Sequence, residues 1–518
     1  MFKKLTLENF KGFARKQSID LKPITLIYGA NSSGKSSILQ SLLLLKQTLE
    51  QSNDKSAILL SKGKYVDLGN YNEFINAHDS EKKLLIKLKL PSFRAQLQYF
   101  PKEVEHEKIE SSVEIVFSHE NTLEIESFSL YIDDDMIMTL SRTSDDIKTH
   151  RYFYFFPRAE EQVRKKKVNF EITNININSK FYNKIIKNII SEFPHNLKKE
   201  NFNHRLGLLD LNNEKEDNYK AYLKLKDIIE NDKKNELNEE ILNYFKKFIF
   251  NFTNFLPNIS MVREENFSLF DKLPRDCQII LHIESLFNAV SDIVTDILEK
   301  LYYIGPLRKN PERYYISSGN VSNYVGKTGL ESPDILYENE NNILNTTNKW
   351  LKKFTNYTLR PTNTTRKTKN TGTQNVYSLR LIDNTTKMNV NITDVGFGIS
   401  QILPIIVQSF MEKSSTIVIE QPEIHIHPKL QAELGSMLAE ACKNNMFIIE
   451  THSENLLLRL KKLVRNKKLD KNKLSIIYVD KTKQGSICYP IRLDDNGDFI
   501  DKWPKGFFEE DIEELFDK

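Results

Sequence analysis

The chain has 518 residues, with 74 Lys and Arg against 70 Asp and Glu, a formal net charge of +4 and 39% hydrophobic residues. That length buries a large core in two or three structural units, and so small a charge excess does not by itself mark a nucleic-acid binder. Cys277, Cys442 and Cys488 are far apart, which excludes a disulfide framework and a zinc spacing, and no apolar run reaches the ~18 residues of a membrane span.

The opening stretch MFKKLTLENFKGF has no signal-peptide apolar core, so the expectation is a cytoplasmic protein with no membrane partner. Alternation through Leu5 and Leu7 predicts a strand, and PITLIYG predicts a buried parallel strand ending at Gly29. GANSSGKS, Gly29 to Ser36, then fits G-x-x-x-x-G-K-[ST]. Its glycines let backbone N–H groups turn inward and cradle phosphates at a helix start. Ile38, Leu42, Leu45 and Leu49 put that helix's apolar face in register. The expected phosphate-binding residues are Gly29, Ala30, Asn31, Ser32, Ser33, Gly34, Lys35, Ser36 and Ser37. Lys35 reaches for the β- and γ-phosphates, and the Ser36 hydroxyl joins the Mg²⁺ shell.

Residues 84 to 157 read as strand-rich, through KLLIKLKL, SVEIVFS, LEIESFSLYI and RYFYFF. From 158 to 300 the character is charged, Asn-rich and mainly helical, with RKKK at 164–167 and a final amphipathic helix through Leu286, Val290, Ile293 and Ile297. Strand and turn return at 302–315, and the Thr- and Asn-rich stretch 361–376 is a hairpin or a mobile loop. DVGFGISQILPIIVQSF leads into a helix whose face carries Ile399, Leu403, Ile406 and Phe410. The strand TIVIE ends in Glu420, an acid placed to hold Mg²⁺ beside a P-loop. The strand in FIIETHS ends beside His452, a candidate donor to the γ-phosphate or attacking water and otherwise a satisfied polar residue. DDNGD at 494–498 is an Asn-Gly hairpin turn.

LENFKGF, the P-loop, VGFGISQILP, VIEQPEIHIHP and ETHSENLL occur in that order, and the set resembles the ABC-type ATPases of the RecF, SMC and OLD class. Within it the chain is most similar to stand-alone bacterial ATPases, associated with anti-phage defence, that lack a Toprim domain and carry a short C-terminal module like WPKGFFEEDIEELF. The resemblance implies an α/β fold, a P-loop ABC-type ATPase head of mixed and parallel sheets flanked by helices, with a largely helical insertion. It divides the chain into 1–157, the N-terminal part of the ATPase domain; 158–300, the insertion; 301–490, the C-terminal part; and 491–518, the short module. It also implies ATP and Mg²⁺ as cofactors and a head-to-tail dimer or higher oligomer. Gly398 and Ser400, with Gly396 and Gln401, then meet the partner's γ-phosphate, although GFGISQ is not the usual Ser-Gly-Gly-Gln run.

In that class the residue after the Mg²⁺ acid is a glutamate that polarises the attacking water. Here it is Gln421, which cannot accept the proton, so slow hydrolysis is expected, with Glu423 as a substitute. Candidate catalytic residues are therefore Glu420, Gln421, Glu423 and His452, and candidate metal ligands are Ser36 and Glu420. His425 and His427 with Glu423 form a His-x-His metal candidate or a polar loop. Arg308 contacts nucleotide or forms a structural ion pair, and the basic run from Arg459 to Lys473 follows a phosphate backbone or is a solvated face. Three functions stay open. One is an ATPase that gates an effector such as a nearby-encoded nuclease or a toxin, in antiviral defence; the second is a RecF- or SMC-like DNA-repair ATPase; the third is an OLD-like nuclease with its metal site in the insertion.

Overall fold

The computed structural model describes residues 1–51, 58–94, 108–119, 122–142, 170–176, 178–182, 211–231, 233–245, 248–252, 254–261, 279–317, 319, 322–339, 342–363, 375–396 and 398–504. The expected strand RYFYFF, the RKKK run, residues 364–374 of the Thr-rich stretch and the module beyond Pro504 lie outside them. The chain forms two compact units, one of Met1–Glu50, Leu60–Lys82 and Asp296–Lys518, the other of Gln51–Leu59 and Lys83–Thr295. No helix among the described residues is long and apolar enough to cross a membrane.

The first unit is built on a six-stranded sheet in the order Leu301–Ile304, Thr416–Glu420, Met446–Glu450, Ile24–Gly29, Leu474–Thr482 and Gly485–Pro490. The first five strands run parallel and only the last is antiparallel. All six residues of Ile24–Gly29 are buried, which explains their unbroken apolar run. Parallel neighbours require crossovers. Helix Pro428–Ala441 carries the chain from Thr416–Glu420 to Met446–Glu450, and helix Glu454–Arg465 carries it on to Leu474–Thr482. That second crossover passes over the P-loop strand, which therefore sits at the middle of the sheet. Helix Gly398–Met411 contributes Ile402, Ile406 and Val407 to the same core as Leu26, Ile417 and Ile449. A smaller antiparallel sheet of Tyr315–Ile316, Val376–Asp383, Tyr357–Asn363 and Asn389–Asn391 joins that core through Leu359 and Leu379. The mixed and parallel sheets with flanking helices are the expected α/β fold.

The second unit is an antiparallel meander of Pro257–Met261, Phe248–Phe252, Phe170–Ile175, Asp135–Arg142, Leu123–Ile132, Ser111–His119 and Leu84–Lys89, each paired with the next. Three of these strands come from the 158–300 segment expected to be mainly helical. FEITNI and FIFNF are short, and their Asn and charged neighbours hide the strand pattern in composition. The helices Leu211–Glu230, Lys234–Phe245 and Ile279–Glu299 are present as well. Phe287 of the last one packs on Phe128 and Phe250 of the sheet, so this segment shares a core with the strand-rich 84–157 stretch. The contacts divide the chain near 83 and 295 rather than at 157 and 300.

One buried amide fixes where the acid strand begins. Asn445, 3% exposed, donates through Nδ2 to the carbonyls of Ser409 and Glu412 at 3.0 and 2.8 Å. Its Oδ1 accepts from the Ser415 N–H at 3.1 Å. It thus closes the C-terminal end of helix Gly398–Met411 and aligns the turn into Thr416–Glu420. Asn445→Ala strands three backbone groups, and the expected loss is about 3 kcal/mol in urea denaturation.

Candidate functional site

The P-loop follows its strand and opens helix Lys35–Gln51, as the sequence predicts. Gly29 and Gly34 take φ of 144° and 109°, a region that side chains avoid. A Cβ on Gly29 would lie 2.2 Å from the Val479 carbonyl, and one on Gly34 would lie 2.8 Å from Ser486 Oγ. Ser486, on the C-terminal strand pair, donates from its hydroxyl to the Ser33 carbonyl at 2.6 Å and from its N–H to the Gly12 carbonyl at 2.7 Å. The loop is therefore braced from behind by the end of the chain. The Lys35 ammonium donates to the carbonyls of Gly29 and Ala30, both at 2.9 Å. Burial pushes its pKa down, while Glu450 and Glu423 pull it back up. In front of the loop lies a cleft of about 910 Å³ at the carboxyl ends of the strands, where open parallel sheets bind ligands. Asn31, Ser32, Gly34, Lys35, Ser36 and Ser37 line it from the P-loop side, and Gln421 and Glu450 from the strand ends.

Two carboxylates end adjacent parallel strands in register, Glu420 opposite Glu450. Glu450 had no role assigned on sequence. It is 5% exposed, its Oε1 accepts from the Ser36 hydroxyl at 3.1 Å, and its Oε2 is buried without a hydrogen-bond partner. Glu420, the acid expected to hold metal, accepts from the Tyr303 hydroxyl at 3.0 Å and is not part of the cleft wall. Burial raises the pKa of both acids; the Ser36 hydrogen bond and Lys35 oppose the rise at Glu450, and the Glu420 charge adds to it. A buried acid, a half-buried one and a serine hydroxyl beside a phosphate cradle are the oxygen-donor set that suits Mg²⁺.

Glu423 is committed elsewhere. Its Oε2 accepts from Thr451 Oγ1 at 2.7 Å and its Oε1 from the His452 N–H at 2.6 Å, so it holds the loop that carries His452. Burial lowers the His452 pKa and the Lys35 charge lowers it further, which keeps the imidazole neutral at pH 7. Arg308, 5% exposed, donates to the carbonyls of Glu420 and Gln421 at 2.9 and 3.2 Å, and burial brings its pKa down to about 10. It contacts neither a phosphate cradle nor a carboxylate; it clamps the backbone that turns at Gln421, whose φ is 44°. His427 caps helix Pro428–Ala441 by accepting from the Lys429 N–H through Nδ1. No group of three His, Cys, Asp or Glu converges as a metal site among the described residues.

Gly398 and Ser400 stand apart from the P-loop cleft. A Cβ on Gly398 would lie 3.1 Å from the His425 carbonyl, and Ser400 lines a separate small pocket with Leu403 and Pro404. Four of the eight basic residues in the run 459–473 are engaged within the chain, while Lys462, Lys467, Lys468 and Lys473 are exposed. Arg459 pairs with Glu433, Arg465 with Asp498 and Lys471 with Asp495, each within 3 Å, and Lys461 sits 3.8 Å over the Phe499 ring. The expected 494–498 turn is present, bridged between Leu493 and Phe499, and these contacts dock it on helix Glu454–Arg465.

The model of an AAA ATPase domain matches residues 1–457. The chain belongs to the AAA ATPase domain family. A second model, described as a protein of unknown function (DUF3696), matches residues 469–517. That segment is no appendage to the ATPase, because it supplies the strand Leu474–Thr482 that pairs directly with the P-loop strand. No curated protein matches the chain. Solved structures that resemble it include an Smc head domain with an extended coiled coil bound to the C-terminal domain of ScpA, from Pyrococcus furiosus, at 12% identity and TM-score 0.36 over 95% of this chain and 96% of that one. Another is the SMC head domain from Thermotoga maritima, at 11% identity and TM-score 0.35 over 95% and 99%. Likenesses this loose say nothing about which ligand or partner this chain takes.

Glu450 was legible only as the residue before Thr451-His452. Its signal was an acid ending a buried strand, the same signal that singled out Glu420. Because its folded pKa lies above the ordinary 4.5, its buried charge costs stability in full above that raised value. The cost disappears as pH falls through it, since the folded protein then takes up the proton first. Glu450→Gln is therefore expected to raise the melting temperature at pH 8 in EDTA by about 2–4 °C. The gap should close as pH falls through the raised folded value towards the ordinary 4.5 in parallel thermal scans.

Proposed function

We propose that this AAA-type ATPase binds ATP with Mg²⁺ in the P-loop cleft, hydrolyses it slowly, and uses the ATP-bound form to control a partner protein. The observation that carries the reading is the phosphate cradle of residues 29–37 facing the buried Glu450, which touches Ser36 and has Glu420 at the end of the next strand. Backbone N–H groups of the loop and Lys35 would bind the phosphates, and the ribose and base would occupy the rest of the cleft. Ser36 with the acids Glu420 and Glu450 would hold Mg²⁺, which when bound would supply positive charge against the charge that develops on the phosphates. His452, neutral and with its backbone N–H held by Glu423, would donate a hydrogen bond to a phosphate rather than carry charge.

Slow turnover is supported by what the neighbours do. Gln421 cannot take a proton from water, and both oxygens of Glu423 are engaged with Thr451 and His452. A positioned general base contributes about 10²–10⁴-fold. Single-turnover hydrolysis should therefore rise by about 10²-fold in Gln421→Glu. Lys35→Ala should abolish nucleotide binding. A rate in the native chain as fast as that of Gln421→Glu would end this reading of position 421.

The partner side of the proposal rests on the resemblance and on the helix at Gly398. Gly396 is exposed with open space where a side chain would be, and Ser400 follows in the first turn of helix Gly398–Met411. A helix start of this kind offers N–H donors and the positive end of a dipole to a phosphate brought by a second copy. We favour a head-to-tail dimer, with an effector such as a nuclease or toxin as the regulated partner in antiviral defence. The DNA-clamp alternative loses support from the internal pairing of Arg459, Arg465 and Lys471. ATP should convert the chain from monomer to dimer in light scattering, and Gly396→Arg, at an exposed position with open space for a side chain, should prevent this without weakening ATP binding.

A further inference from the structure

We propose that Tyr303 is a positioning residue for the cation site: its hydroxyl holds one oxygen of the Glu420 carboxylate and leaves the other for the metal. The proposal rests on the ATP and Mg²⁺ reading above and deepens it by naming the residue that orients the acid.

The sheet brings the two residues together. Leu301–Ile304 is the edge strand and runs parallel to Thr416–Glu420, with Tyr303 opposite Val418. Side chains alternate between faces along a strand, so Tyr303 shares a face with Val418 and with Glu420 two positions on. Its ring spans that step, and its hydroxyl donates to Glu420 Oε1 at 3.0 Å.

That bond is the one side-chain hydrogen bond to the Glu420 carboxylate among the described residues; Lys327 and Arg308 act on it only through charge. Burial pushes the Tyr303 hydroxyl far above the usual phenol range, and the Glu420 charge raises it further, so it stays protonated and donates. The tyrosine is itself fixed. It is buried, its carbonyl accepts from the Tyr324 hydroxyl, and the Lys327 ammonium lies 5.5 Å over its ring. That ammonium is in turn bonded to the Tyr65 carbonyl at 3.2 Å. A free glutamate side chain samples several rotamers, and a hydroxyl without freedom of its own selects among them. In the segment that follows, Arg308 holds the carbonyls of Glu420 and Gln421. The acid is therefore gripped twice by one stretch of chain, its backbone by Arg308 and its carboxylate by Tyr303. Outer partners of this kind set the orientation of metal ligands, and losing one costs about 10–100-fold in metal affinity or activity.

Tyr302 supplies a matched comparison in the same strand. It is also buried, and its hydroxyl donates to the carboxylate of Glu412, just past helix Gly398–Met411. Neither Tyr302 nor Glu412 lines the cleft. Removing either hydroxyl deletes the same kind of bond, so a purely structural role predicts the same outcome for both.

The test uses the full chain, Mn²⁺ as a spin probe read by electron paramagnetic resonance, and a non-hydrolysable ATP analogue whose affinity is also measured in EDTA. Tyr303→Phe should weaken Mn²⁺ binding in the analogue complex by about tenfold, with the EDTA affinity unchanged. Tyr302→Phe should leave Mn²⁺ binding native. Glu420→Gln should weaken it at least as much as Tyr303→Phe, and the double variant should be no weaker than Glu420→Gln alone. If Tyr303→Phe does not fold, Tyr303→His replaces it, keeping a polar ring that stops short of Glu420, with the same loss expected. Native Mn²⁺ binding in the Tyr303 variant overturns the proposal. So does an equal loss in Tyr302→Phe, native binding in Glu420→Gln, or a full tenfold further loss when Tyr303→Phe is added to Glu420→Gln. Failure of the native chain to bind the analogue at all would remove the ATP reading itself, whereas analogue binding with Mn²⁺ affinity indifferent to Tyr303 would remove only this proposal.

Discussion

The site depends on the cost of holding the Glu450 carboxylate out of water with a second acid, the half-buried Glu420, at the end of the next strand. Glu420 and Glu450 end adjacent parallel strands in register, and burial disfavours the charge on each. Nothing in folding favours such a pair; apolar residues at the same strand ends would be cheaper. The arrangement makes sense only if the negative potential is used, and the group it faces is the phosphate loop with its lysine and serine. A site that costs the fold stability in exchange for binding is the usual form of such a trade.

Most of the surrounding polar side chains act on backbone rather than on ligand. Arg308 holds the carbonyls of Glu420 and Gln421, Glu423 holds Thr451 and the His452 N–H, Asn445 sets the start of the acid strand, and Ser486 braces the P-loop. These are buried or half-buried bonds to groups that have no helix or sheet partner available, so each removes an unsatisfied polar atom at a strand end. Together they hold the loops at the carboxyl edge of the sheet in one geometry. That is what a phosphate cradle needs, because its donors are useful only if they are aimed before the ligand arrives.

The C-terminal part of the chain belongs to this machinery. Its strand Leu474–Thr482 pairs with the P-loop strand, and Trp503 packs edge-on against Tyr28 of that same strand and against Tyr478. Lys461, Arg465 and Lys471 are turned to docking the 494–498 turn, so part of what reads in the sequence as a positively charged stripe is, in three dimensions, an intramolecular contact.

The sequence by itself determined the phosphate loop, its strand and helix, the acid at Glu420, the loss of a base at Gln421 and the α/β class. Each is written in contiguous residues whose spacing carries the geometry: glycines at fixed offsets, an apolar run before them, a helical period after. It did not determine that strands from the Asn-rich 158–300 segment pair with those of the 84–157 stretch, because FEITNI and FIFNF are too short to stand out locally. Nor did it determine that Glu450 touches Ser36. Glu420 and Glu450 look alike in sequence, each an acid after a buried strand. Only the tertiary structure separates them: crossovers between distant segments put Glu450 on the strand beside the P-loop, where it accepts from the Ser36 hydroxyl, and Glu420 on the next strand out, where it accepts from Tyr303.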